Sequence, residues 1–504
     1  MKKRKKIILG SITGALALAL AGGGFWAYKT FVPQETPIDK NATVASNFYQ
    51  AVNKDWLLKA KIPADSPSID NFYTLGEDIK GKLKKDIKNL GEGKETSDIT
   101  GMSEFITFYK AASDYKQREK DGLEPLKPYL KEIEDIKDLN DLASKSASLT
   151  DKGIPLPFGY NVGTNAENTS QKQIQLSPPS ILLPDVSIYK DEASKKQYLT
   201  PIETATQKAL EMLGYSEKNS KRIVKEALEF DEIIAKYSLS NEEMSESKNL
   251  VHPKTAEEIN AYSGSFKLYD VIKGIMGRDL ETINVPNTKY FENYSKIVNQ
   301  DNFSKIKSWI LVQEAMAASN SLTEDYRLNF TSISMAIMGT QKPISKEDTV
   351  YEMSVNLFSD VMSVYYGRKY FGEEAKTDVT GMIDKIKNVY RGRLQQNDWL
   401  TEDTRNKAIE KLDKMKVFVG YQEDVDPGTK ELHLDPNKSF FELSEDIAQF
   451  GKRYTIDHFD EPIDKNKWSG SAFDINAYYN PESNSINFPA GILQAPFYDK
   501  NQST

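Results

Sequence analysis

No cysteine occurs among the 504 residues of this chain. Disulfides, thiolate zinc sites, thiol nucleophiles and an acylated lipoprotein cysteine are thereby excluded, so core burial alone must hold the fold. Histidine is almost as scarce, with only His252, His433 and His458. No two of them lie four residues apart, so the helical pair that zincins use to grip Zn²⁺ is missing. His252 precedes Pro253 and reads as a loop residue. His433 lies near Glu431 and Asp435, and His458 sits in Asp457-His458-Phe459-Asp460-Glu461. Imidazole among carboxylates can bind a metal, but with 74 acidic residues in the chain, surface salt-bridging is the commoner outcome. No Gly-x-Ser-x-Gly nucleophile elbow stands out. Gly91 to Thr96 fails as a phosphate loop, because its glycine spacing is wrong and Glu95 stands at the Ser/Thr position. Long basic stripes are absent too. Net charge is −8, and the opening MKKRKK carries +5, which leaves −13 for the rest. Nucleic-acid binding is not expected of such a surface.

What is present suffices for real cores. Apolar residues make up 39% and aromatics 11%, which at this length supports at least two domains. Behind Lys2 to Lys6 comes an uncharged run of 22 residues, Ile7 to Tyr28, closed by Lys29. As a helix it can span a hydrocarbon core of about 30 Å. The expectation is a single-pass cell-membrane anchor with an extracellular C-terminal body. The alternative is secretion after cleavage near Ala21, where Ala19-Leu20-Ala21 forms a small-x-small site. Residues 33–46 are polar and Pro-bearing, a spacer.

From about Ser68 to Gln395 the apolar residues recur with helical period. Val379, Met382, Ile383, Ile386, Val389, Tyr390 and Leu394 form one stripe, predicting a helix laid on a core. Ile223, Ala227, Phe230, Ile234 and Tyr237 form another. Asn47 to Trp56 reads as a short amphipathic helix with an aromatic face, with Pro63 as its stop. Between Pro155 and Asp185 the pattern fails, and Gly, Asn, Ser and Pro suggest a loop or small hairpin projecting from the helical body. Thr401 can cap a helix that runs toward Gly420. Lys80 to Lys88 reads as a solvated helix face.

The end of the chain changes period. Phe473 to Tyr479 alternates as a strand does, Asn480 to Asn484 carries turn residues, and Ser485 to Phe488 returns as a second strand before Pro489-Ala490-Gly491. An edge strand offers unpaired N–H and C=O groups to an extended peptide. An Asn on such an edge adds one donor and one acceptor. From pattern alone, an ordinary hairpin with inward tyrosines is the competing account.

The wording Asn476-Ala477-Tyr478-Tyr479, followed by Phe488-Pro489-Ala490-Gly491-Ile492-Leu493-Gln494, resembles the neprilysin-like zinc metallopeptidases. Asn47 to Trp56, Leu183-Pro184-Asp185 with Tyr189, and Trp399 to Tyr421 resemble further segments of that family. The absence of cysteine fits its bacterial branch. The resemblance implies a mainly α chain: a large helical N-terminal domain, then the first strands of a thermolysin-like α+β catalytic domain. It implies Zn²⁺ as cofactor and peptides as substrates, with Asn476 and Ala477 on the edge strand that holds the substrate backbone. In the family, His-Glu-x-x-His and a downstream Glu hold the metal, and the motif's Glu is the general base. That motif is expected beyond Thr504, so no catalytic or metal role falls on any residue here.

Five regions follow: 1–32 basic tail and signal anchor; 33–46 linker; 47–425 helical domain; 426–472 connecting segment; 473–504 incomplete start of the catalytic domain. The first expectation for function is a membrane-anchored zinc metalloendopeptidase cut off before its zinc-binding part and inactive as given. The alternatives are a non-catalytic cell-surface module that binds peptides or host surface proteins, and half of a split enzyme. A hairpin without its sheet is marginal, so the last thirty or so residues are expected to be poorly ordered or aggregation-prone.

Overall fold

The computed structural model describes residues 38–501. The chain is mainly α. Six helices carry the description below: α1 Asn71–Gly91, α2 Met102–Ser113, α3 Glu217–Tyr237, α4 Phe303–Ala317, α5 Gly372–Gln395 and α6 Phe440–Asp457. Their starts are chemically marked. Asp70, Ser216 and Ser439 each accept a backbone N–H of the first turn, and at Ser439 a capping box with Glu442 closes both ways.

Two apolar cores organise these helices. The larger is built from residues between Leu126 and Phe330, with Trp309, Tyr290, Tyr294 and Phe266 fully enclosed. The smaller joins sequence-distant pieces: Leu75 to Ala112, Val350 to Tyr366, and Val425 to Leu443 with Ala490. The chain thus begins in the smaller core, builds the larger one, and returns. Helix α6 lies in the seam. Its Phe441 enters the larger core, while Phe440 and Leu443 enter the smaller. Residues 426–472, expected as a connector, therefore hold an 18-residue helix that both cores share.

Strands are few. β1 (Gly159–Thr164) and β2 (Lys172–Ser177) form an antiparallel hairpin, extended by β4 (Ile283–Asn284) and β3 (Pro253–Lys254) in the order β1-β2-β4-β3. The 155–185 stretch does not project, as its composition suggested. Ile174 and Leu176 of β2 are buried in the larger core. The second sheet has the order β5-β7-β6, from β5 (Lys416–Gly420), β6 (Tyr478–Asn480) and β7 (Ser485–Pro489).

Helix α3 buries Ile223, Ala227, Phe230 and Ile234 as its stripe predicts. Along α5 only half the stripe is covered. Val379 and Ile383 are buried, but Ile386, Val389 and Tyr390 are each more than half exposed. The helix Phe48–Lys59 forms too, with Phe48, Tyr49 and Val52 facing outward.

The expected membrane anchor is corrected. Among the described residues no helix is long and apolar enough to cross a membrane. The run 7–28, on which the anchor and the cleavage near Ala21 were placed, lies outside the described residues.

The expectation of a poorly ordered end also changes. β7 is paired on both sides, antiparallel to β6 and parallel to β5. Ser485, Asn487 and Pro489 are buried, and Phe488 packs with Val379, Ile383 and Val419. The hairpin has a third strand and a helix beneath it, which is what an isolated hairpin lacks. Amide hydrogens of Ile486 to Phe488 are accordingly expected to exchange far more slowly than those of Tyr478 to Asn480. Exchange read by mass spectrometry checks this, and equally fast exchange in both strands would overturn the pairing.

Candidate functional site

The second sheet sets up the candidate site. With β7 central, β6 is an outer strand, and no strand among the described residues pairs with its far side. Tyr478 stands opposite Asn487, Tyr479 opposite Ile486, and Asn480 opposite Ser485. The ladder stops at Tyr478. One position beyond, Ala477 would face Phe488 and Asn476 would face Pro489, which has no N–H to donate.

Asn476 and Ala477 thus adjoin the edge strand without belonging to its ladder, and both are exposed. The strand begins at Tyr478, five residues later than the alternation from Phe473 suggests. The Asn476 side-chain oxygen turns back to accept the Ala477 N–H at 2.8 Å. That donor is therefore held in place, and a competing acceptor can take it over.

Loop 468–475 braces this edge from behind. Ala472 N–H donates to the buried Ser363 hydroxyl at 2.8 Å, which fastens the loop to the helix Ser359–Tyr366. Gly491 N–H donates to Ala472 O at 2.8 Å. A Cβ on Gly491 would lie 2.5 Å from the carbonyl oxygens of Phe473 and Asp474, so this close crossing admits only glycine. Asp474 accepts Ser471 N–H at 2.9 Å, and burial raises its carboxyl above the ordinary range. Tyr478 donates its hydroxyl to Ser469 O, and burial pushes that phenol up as well. Behind Tyr478, Asn487 is wholly buried with both amide atoms unpartnered, and no packing requirement explains it.

Several contacts at this site gave no signal in the sequence. Ile475 rests on Gly76 of α1, 3.5 Å from where a Cβ would be. One turn earlier on that helix, Phe72 stacks on Phe497 with ring centroids 5.2 Å apart, and both rings stay about half exposed. Gln494 donates to the Tyr366 hydroxyl at 3.1 Å and to Gly491 O at 2.8 Å. Phe473 meets the Tyr366 ring edge-on. Apart from the Gln494–Gly491 bond, these contacts cross more than a hundred residues of sequence, so no local spacing carries them.

The residues present do not fit Zn²⁺. Among the described residues no group of three or more His, Asp or Glu side chains could hold a metal. His458 stacks on Tyr454 at 4.0 Å, and its Nδ1 lies 2.8 Å from Tyr454 O, so it closes the end of α6. His433 is exposed, 3.8 Å from Glu104.

Comparisons with known proteins converge. Two family models described as Peptidase family M13 match this chain, one over residues 44–422 and the other over residues 476–504. A neutral endopeptidase of Lactobacillus helveticus is 34% identical over 466 residues, 92% of this chain and 72% of that protein. The neutral endopeptidase of Lactococcus lactis subsp. lactis is 31% identical, with 92% and 73% covered. Among solved structures, PepO from Lactobacillus rhamnosis superposes with a TM-score of 0.86 at 25% identity, covering 92% of this chain and 73% of that one. The Mycobacterium tuberculosis zinc metalloprotease Zmp1, solved with an inhibitor, shares the fold with a TM-score of 0.81 at 22% identity, with 93% and 71% covered.

Proposed function

The chain belongs to peptidase family M13, and on that premise we propose that it captures extended peptides along β6 for a zinc endopeptidase. The observation that carries this reading is the unpaired outer side of β6, flanked by exposed Asn476 and Ala477. A peptide laid there as an added strand would use main-chain hydrogen bonds for affinity. The Asn476 amide would leave Ala477 N–H and grip one peptide unit, donating to its C=O and accepting from its N–H. The half-exposed Phe72–Phe497 stack beside Ile475 offers an apolar rest for a side chain of that peptide.

Zn²⁺ is the cofactor expected of the family, and when bound it supplies an activated water. Among the described residues no group provides its ligands. Peptide capture by this chain alone is therefore read as independent of zinc. The open outer side of β6 also supports a second reading, a binding module that does not hydrolyse what it holds.

Fluorescence anisotropy with a labelled decapeptide bearing one phenylalanine tests the site. Asn476→Ala is expected to weaken binding about tenfold, the worth of one or two hydrogen bonds. Ala477→Pro removes an N–H and should weaken it similarly, and a chelator should change nothing. Unchanged affinity in both variants would place the peptide elsewhere.

A further inference from the structure

Helix α6 is not held in the seam by apolar contacts alone. On its far half, Lys452 donates to Thr150 O at 2.8 Å and Arg453 pairs with Asp151 at 3.0 Å. Arg278 reaches Ile456 O at 3.1 Å and pairs with Asp460. In the middle of this polar docking face stands Glu314 of α4, only 5% exposed and without a hydrogen bond or ion pair. It lines a pocket of about 80 Å³ together with Glu445 of α6, Lys152, Gly153, Ala317 and Phe441. One oxygen of Glu445 is likewise buried without a partner.

An ionised carboxylate in such a place costs several kcal/mol unless it is paired, and the usual escape is to bind a proton. The groups that bear on the pair come from every packed element. Lys452 lies close enough to both to lower them, Asp446 raises Glu445 against it, and Asp151 favours the charged form of Lys452. Tyr129 faces Glu445, and Tyr326 stands behind Glu314 with Tyr215 next to it. Lys152 is already engaged by Glu132, and Asp446 by Lys438. Lys452 bears on Glu314 without pairing with it, its ammonium donating instead to Thr150 O.

We propose that Glu314 carries a proton while α6 is docked and gives it to solvent when the seam opens, making the join between the two cores a proton-dependent latch. Burial, and then the Glu445 charge, push Glu314 up to about 7, with Lys452 opposing. The sign follows. A carboxyl raised in the docked state stabilises docking fully below its free value of about 4.5. That contribution is lost as pH rises through about 7. Within that window one linked proton changes the opening constant about tenfold per pH unit. Neither the proposal nor its test depends on peptide capture or hydrolysis.

Hydrogen exchange on the full chain, between pH 5 and 7 and corrected for intrinsic rates, reads the latch directly. Protection across Phe441 to Asp457 and Thr150 to Gly153 is expected to fall about tenfold per pH unit. Glu314→Gln is expected to remove that slope. Glu445→Gln keeps the slope but moves its upper limit to lower pH, and it serves as the readout should Glu314→Gln not fold. A flat wild-type profile would overturn the proposal. So would a slope that survives Glu314→Gln, or an upper limit unmoved by Glu445→Gln.

Discussion

Arg118→Met is expected to lower stability by about 3–5 kcal/mol, as large a loss as breaking a buried ion pair. Arg118 is only 4% exposed, yet no carboxylate binds it. Its Nε donates to Leu322 O at 2.9 Å and its Nη1 to Ala112 O at 3.0 Å, while Nη2 reaches both Asn320 O and Leu322 O at 2.6 Å. Tyr115 and Phe440 lie against the guanidinium at 4.1 and 4.7 Å. One planar group thus joins the end of α2 in the smaller core, the turn after α4 in the larger, and the start of α6. Methionine fills much of the volume but leaves three carbonyls without donors, each an orphan worth about 1–3 kcal/mol. Lysine keeps the charge yet lacks the fork that spans them, so Arg118→Lys should lose most of the same stability. Urea midpoints compare the three proteins. A loss under about 1 kcal/mol for Arg118→Met would mean the carbonyls find other donors.

Asp231→Ala should cost on the order of 3–5 kcal/mol, while Asp231→Asn costs less and changes the pH dependence instead. Asp231 is fully buried on α3. It accepts Leu182 N–H at 3.1 Å, Trp309 Nε1–H at 3.0 Å, and the Tyr189 hydroxyl. Alanine orphans three buried donors at once. An asparagine can still accept from Leu182 and Trp309, and it donates to the Tyr189 oxygen. Burial raises the Asp231 carboxyl to about 6, against the pull of its three donors. Its stabilising contribution is therefore complete below about 3.8 and lost as pH rises through about 6. Acidification from pH 7 to 4.5 should strengthen the wild type relative to Asp231→Asn by about 2 kcal/mol. Asp348 does not mask this. Burial works to raise it, but bonds from Lys84, Ser345 and Lys80 prevail and hold it well below the ordinary range. Its contribution is present above about 3.8 and fades only below that. Melting curves at pH 4.5, 5.5 and 7 would decide, and parallel curves for Asp231→Asn and wild type would refute the assignment.

Much of the fold was legible where the physics is local. The stripe of α3, the Thr401 cap and the Asn480 turn each depend on neighbours within a few residues, and each stands where the sequence indicates. What was illegible is long-range. β5 joins β7 from more than sixty residues upstream, in a parallel pairing that leaves no turn signature. The lower half of the α5 stripe has apolar period but no cover, because periodicity states which residues share a face and not what lies against it. Arg118 reads as one more surface cation in Tyr115-Lys116-Gln117-Arg118. Only the fold shows that three chain segments end around it. At the candidate site the sequence puts forward Asn476 and Ala477 only as an expectation, whereas Phe72, Phe497 and Tyr366 come from other segments of the chain.

The way the smaller core is assembled has a consequence during synthesis. Leu75 to Ala112 leave the ribosome long before Val350 to Tyr366 and Ala490 exist to cover them. At about 5–20 residues per second, that interval lasts on the order of ten seconds to a minute. The larger core, drawn from Leu126 to Phe330 apart from Phe441, can close in the main meanwhile and bring the two flanks of the unfinished core together. Until then α1 and α2 leave Leu83, Ile87, Phe105 and Phe108 uncovered, apolar surface that favours aggregation while it lasts.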